Sequence, residues 1–156
     1  MRAKTVRESR SELSQIMVSN QTNQAGTIHA AEIFRLMDNA AGVAVARHTR
    51  KNMLTARVND LEFIRPVYVG DFLICTSQII FTGKSSLVVK VIAEVEDLLS
   101  EQKRERVASG YFTIVSLDEQ SKPTEVPVII PETEEEKTLF AEGQHRYLES
   151  KRKKQG

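Results

Sequence analysis

At 156 residues, 40% of them hydrophobic, the chain has material for one domain with one real core and none for two full enzyme domains. Lys and Arg number 22 against 21 Asp and Glu, so a formal charge of +1 provides no global field for nucleic acid or an anionic membrane, and any anionic ligand must be held locally. A single cysteine, Cys75, and three histidines exclude an internal disulfide and any zinc-spaced Cys/His cluster, which fits a reducing compartment.

Met1 to Arg10 carries Arg2, Lys4, Arg7 and Arg10, but no apolar run of signal-peptide or membrane-spanning length follows, so the expectation is a soluble, cytoplasmic protein. A short strand is predicted over Glu12 to Val18. From Gly26 to Thr49 the apolar positions Ile33, Leu36, Met37, Ala40, Ala41 and Ala44 recur at helical spacing and predict an amphipathic helix. Its second half is rich in alanine and glycine, which lets it lie close to another backbone and predicts a buried central helix.

Four runs rich in β-branched residues follow: Met53 to Ile64, Asp71 to Phe81, Ser86 to Glu96 and Arg106 to Ser116. In the third, Leu87, Val89, Val91, Ala93 and Val95 alternate with Ser86, Lys90 and Glu94, as in a half-buried antiparallel strand. Strand, long helix and four strands with short breaks predict an α+β fold, an antiparallel sheet wrapped around one long helix. Prolines at 123–131 mark the one plausible boundary. Beyond it a second helix is predicted, opening at Glu132 to Glu136 and closing on Lys151 to Lys154, with its charges complementing the helix dipole. The expected organisation is one main domain over 9–131 and a C-terminal helix with a basic tail over 132–156.

No GxSxG, GxGxxG, HExxH or phosphate-cradling glycine loop occurs. Polar residues gather instead at Asn23 to His29, leading into the long helix, and at Asp38 within it, stacked between Phe34 and Gly42 at the border of the apolar stripe. An acid at such a border is either a solvated or capped acid or, where partial burial favours its neutral form, one placed to accept a proton from water, and unpaired N–H groups at a helix start are ready donors for a developing oxyanion. His29 is either structural or site-lining. His48 sits at the helix's far end, where the dipole favours a cation, and Cys75 reads as a small core residue in a strand. Gly83 to Ser86 is first a hairpin turn, whose Lys84 and hydroxyls also suit a phosphate.

The ordered set Asn23-x-x-Gly26-Thr27-Ile28-His29, Leu36-Met37-Asp38 and Phe63-x-x-Pro66-Val67-x-x-Gly70-Asp71 resembles the hotdog-fold acyl-CoA thioesterases, more narrowly the bacterial acyl-CoA hydrolases related to brain acyl-CoA hydrolase. The resemblance runs from Ser9 to Lys137 and takes in Arg47-His48-Thr49, Gly83-Lys84-Ser85-Ser86, Tyr111-Phe112-Thr113 and Pro131 to Lys137. It implies a hotdog fold, subunits paired into a continuous sheet, a trimer of such dimers, and active sites shared between subunits. It further implies Asp38 as the acid or base and Asn23, from the facing subunit, as the group positioning water or thioester. Backbone around Gly26 and His29 would polarise the carbonyl, and Gly83, Lys84, Ser85 and Ser86, with Arg65, would lie near the CoA phosphates. No cofactor beyond the coenzyme A of substrate and product, no metal and no nucleic-acid or membrane partner is implied.

The chain departs from the family pattern at Gln24, where His is common, at Ala30-Ala31, where a Gly-Gly pair is common, and at Asn39, where Glu is common. Ala for Gly narrows the helix start, so acyl preference does not transfer. Two other classes stay open. A hotdog dehydratase or hydratase needs a His and second acid in a setting that His29-Ala30-Ala31 does not reproduce. A non-catalytic acyl-CoA sensor or assembly domain shares the fold, although the ten residues before the Glu12 run do not build a helix-turn-helix.

Overall fold

The computed structural model describes residues 1–155; Gly156, the last residue of the expected basic tail, lies outside them. The elements are β1 (Lys4–Thr5), β2 (Ser11–Ile16), α1 (Ala30–Thr49), β3 (Asn52–Phe63), β4 (Phe72–Thr82), β5 (Ser86–Glu96), β6 (Glu105–Leu117), β7 (Ile129–Ile130) and α2 (Glu134–Gln155). Five strands form one sheet in the order β2-β4-β5-β6-β3, every neighbouring pair antiparallel, while β1 and β7 pair in parallel as a separate two-stranded ribbon.

The sheet's inner face buries α1. Ile33, Met37, Ala40, Ala41, Ala44 and Val45 on the helix meet Leu73, Cys75, Ile79, Leu87, Val89, Val91, Phe112 and Ile114 on the strands in one core. The alanines allow close approach: Ser11 and Ser77, buried on paired positions of β2 and β4, each place their hydroxyl 2.7 Å from the Ala40 carbonyl oxygen. These bonds satisfy hydroxyls that burial would otherwise penalise.

α2 covers the outer face of the same sheet, packing Leu139, Phe140 and Tyr147 on Ile80, Phe81 and Val88. Gly143 makes this possible, since a Cβ there would stand 2.7 Å from the Phe81 Cβ. The expected second helix thus packs on the sheet of its own chain.

Two expectations are corrected. α1 begins at Ala30, not Gly26: Gly26 has φ +85° in a turn, and His29 is the N-cap, its Nδ1 accepting from the Ala31 N–H at 3.1 Å. His48 is no solvated cation. It is fully buried, its Nε2 lies 2.6 Å from the Pro127 carbonyl oxygen, and burial pushes its pKa down; Lys4 Nζ supplies the cation at the helix end, donating to the His48 carbonyl at 2.8 Å. Glu136 in the acidic run is buried, accepting from the N–H groups of Glu132 and Thr133 while Thr133 Oγ1 accepts from Glu136 N at 3.0 Å. Those bonds form a capping box at the start of α2.

Candidate active site

Helical spacing puts Asp38 on the margin of α1 that faces β3, half-buried between Phe34 one turn before and Gly42 one turn after. Across the margin Thr55 Oγ1 donates to Asp38 Oδ1 at 2.8 Å. Thr55 points inward because its Cα partner on β6, Ile114, belongs to the fully buried inner row. Among the described residues Oδ2 of Asp38 accepts no hydrogen bond, so one carboxylate oxygen is anchored and the other faces out. Phe34 stacks on Phe112 with ring centroids 5.7 Å apart and forms an apolar floor beside the carboxylate. Thr55 was invisible in the sequence, where a threonine in a β-run is an ordinary strand former.

Asn23 sits before α1 in a tight loop of its own making. Its Oδ1 accepts from the N–H groups of Ala25 at 2.9 Å and Thr27 at 3.2 Å, and its Nδ2 donates to Thr27 Oγ1 at 2.9 Å. Within one chain it makes no bond to Asp38. It lines a shallow surface cavity with Thr22, Gln24, Ala25 and His29.

At the helix start the expected donors are largely engaged. Gly26 N–H donates to the Asn23 carbonyl at 3.2 Å, Ile28 N–H to Val67 at 2.7 Å and His29 N–H to Gln21 at 2.8 Å. The His29 ring takes the Ala31 N–H. Gly26 thus shapes the loop through its positive φ, and His29 caps the helix.

The residues proposed near CoA phosphates separate into two places. Arg65 lies just beyond β3, ion-paired with Glu105 and sharing a cavity with Pro66, Tyr68, Asp97 and Lys103. Gly83 to Ser86 joins β4 to β5 at the other end of the sheet, 11 residues of β4 away, which is about 35 Å of strand. There Ser85 and Ser86 are half-buried and the Tyr147 ring covers Gly83, so Lys84 is the exposed side chain of the turn. Cys75 is fully buried in β4, where desolvation pushes its thiol up to about 12. Among the described residues no group of three or more His, Cys, Asp or Glu side chains is placed to hold a metal ion.

The Thioesterase superfamily profile matches residues 25–100, which span the Asn23 loop's end, α1 and the strands through β5. An uncharacterized acyl-CoA thioester hydrolase of Bacillus subtilis is 33% identical over 133 residues, covering 85% of this chain and 77% of that protein. The chain belongs to the thioesterase superfamily. The rat cytosolic acyl coenzyme A thioester hydrolase is 37% identical over 153 residues, 97% of this chain but 40% of its own length, so the chain spans about two fifths of that relative. A solved hexameric acyl-CoA thioesterase superposes with a TM-score of 0.91 at 28% identity, covering 98% of this chain and 97% of the other. This thioesterase-superfamily chain therefore has the hotdog architecture expected of it, with α1 as the helix inside the sheet.

Proposed function

We propose that the chain hydrolyses acyl-CoA to a free carboxylic acid and coenzyme A, with the unit over 9–131 carrying the chemistry and that over 132–155 supporting it. The observation that carries this reading is the half-buried Asp38 held through one oxygen by Thr55, on the open margin between α1 and an edge strand, in a family of acyl-CoA thioester hydrolases. Water attacks the thioester carbonyl carbon and gives its proton to Asp38. The carbonyl oxygen becomes an oxyanion stabilised by the Ala30 N–H, the helix-start donor that the loop and the His29 cap do not take among the described residues, the C–S bond breaks, and the proton passes from Asp38 to the leaving sulfur. Water is the only co-reactant, and no cofactor enters the balance.

The same proposal assigns Asn23 to the site of the facing subunit, because within its own chain it does not reach Asp38. The arrangement it requires is a dimer joined along β3, and three such dimers in a hexamer. Support comes from the 12-residue outer edge of β3, unpaired in the single chain, from the exposed Leu54 and Phe63 on that strand, and from the hexameric relative. Lys84 and Arg65, far apart in one chain, would then contact different CoA molecules or different parts of one bound between subunits. A cytoplasmic setting fits the rat relative's name and the buried free Cys75, and no described helix is long and apolar enough to cross a membrane.

The deciding experiment measures thiol release from short, medium and long acyl-CoAs by the wild type and by Asp38→Asn. Turnover lost in the variant supports the reading. Tight CoA binding with no turnover from any chain length replaces it with the sensor.

A further inference from the structure

We infer that α2 braces β3 from the outer face of the sheet and fixes the register that aims Thr55 at Asp38, making Arg57, Asp60, Arg146 and Ser150 positioning residues. The catalytic part of this inference rests on the hydrolase reading above.

β3 is the strand most in need of such a brace. It is an edge strand, paired in the chain with β6 alone, and its register breaks twice, between Thr55 and Arg57 and between Asn59 and Glu62. Side chains alternate along a strand, so a slip of one residue would turn Thr55 away from α1 and leave Asp38 without its donor. The inward-facing residues of β3, Met53, Thr55, Val58 and Leu61, are spaced by two, three and three, so the alternation that sets the register has to be reset at each break.

Each break carries an anchor to α2. At the first, Arg57 Nη1 donates to Ser150 Oγ. At the second, Asp60 holds the left-handed conformation at φ 50°, rare for a residue with a Cβ, and Arg146 Nη1 donates to its Oδ2 at 2.7 Å. The Arg146 guanidinium also lies 3.5 Å from the ring centroid of Tyr111, which is on β6 opposite Asn59. Tyr111 in turn donates its hydroxyl to Glu142 Oε1 at 2.5 Å. One α2 side chain therefore grips β3 and β6 together at the bulge. α2 itself is seated by Gly143 against Phe81, so the anchors have a fixed base.

Partly exposed ion pairs of this kind add little to global stability, so their effect should be found in geometry at the site. The test compares wild type, Arg146→Ala, Arg146→Lys and Asp60→Gly, the last tolerating the positive φ while removing the carboxylate, each with and without Thr55→Ala. The expected result is that Arg146→Ala and Asp60→Gly lower kcat about tenfold with KM nearly unchanged, that Arg146→Lys restores part of it, and that the same changes cost under about twofold once Thr55 is gone. Equal losses in both backgrounds would overturn the brace.

Amide hydrogen exchange across residues 54–62 gives a readout independent of turnover. Faster exchange in Arg146→Ala and Asp60→Gly, with the melting temperature held within a few degrees, is expected; unchanged protection overturns the brace whatever the enzyme does. A wild type inert toward every acyl-CoA would refute the hydrolase reading and its positioning consequence, leaving the register claim to the exchange data.

Discussion

Thr55 and Asp38 join the two walls of the site, the hydroxyl of an edge strand donating to a carboxylate on the buried helix at 2.8 Å. Thr55→Val keeps the volume and deletes the donor. It should lower kcat about tenfold, against a loss of about 10² to 10⁴ for Asp38→Asn, which removes the proposed base outright. Steady-state thiol release measures both, and a Thr55→Val enzyme with wild-type kcat would show that the bond is structural only.

The proposed sharing of the site predicts complementation. Asn23→Ala and Asp38→Asn proteins, each nearly inactive, should after subunit exchange regain about a quarter of wild-type activity, because half the dimers are mixed and each mixed dimer holds one intact site of two. No recovery despite exchange shown by native mass spectrometry would place both residues in the same site of one chain.

The distance between Arg65 and Lys84 makes their proposed contributions to CoA binding separable. Lys84→Ala and Arg65→Ala should each weaken CoA about threefold to tenfold by calorimetry, the scale of one exposed charge-assisted contact, and the double variant should show the product. If Lys84→Ala binds as well as wild type, the turn over 83–86 is a hairpin and nothing more.

Gly143 sets how closely α2 approaches the sheet. Alanine is the better helix former by about 1 kcal/mol, yet its Cβ would meet the Phe81 Cβ at 2.7 Å and Ile80 Cγ1 at 2.9 Å, both close to rigid strand backbone. Overpacking should win, with Gly143→Ala losing about 1 to 2 kcal/mol in denaturant melts. A gain in stability would mean that α2 shifts freely on the sheet.

His48 gives stability a pH dependence of defined sign. Burial holds its pKa below the ordinary 6.5, so the fold keeps the neutral ring while the unfolded chain takes up a proton. This contribution is intact above about 6.5 and is lost as pH falls from there through the folded value. Melting temperatures from pH 8 to pH 5 should fall in wild type and fall less steeply in His48→Gln; parallel slopes would acquit His48.

Periodicity made α1 and the five main strands legible to within a few residues, since each is long enough for its apolar pattern to repeat. The start of α1 was not, because the Asn23 side chain and Gly26 build a loop whose residues look like the helix approach. β1 and β7, at two residues each, are too short to carry any period. Asp38 showed itself by being out of place in an apolar stripe. Thr55 and Arg146 did not, because what distinguishes each is a partner 17 and 86 residues away in sequence.

The pairing of Lys4–Thr5 with Ile129–Ile130 ties together segments 125 residues apart, the span from Lys4 to Ile129. Such a contact closes one of the longest loops in the molecule and cannot form until the ribosome has released residue 130. The Lys4–Thr5 segment, made before the rest of this fold, is thus among the last to dock. Until it does, the carboxyl end of α1 lacks Lys4, and a nascent or partly folded chain carries its central helix with that end still open to solvent.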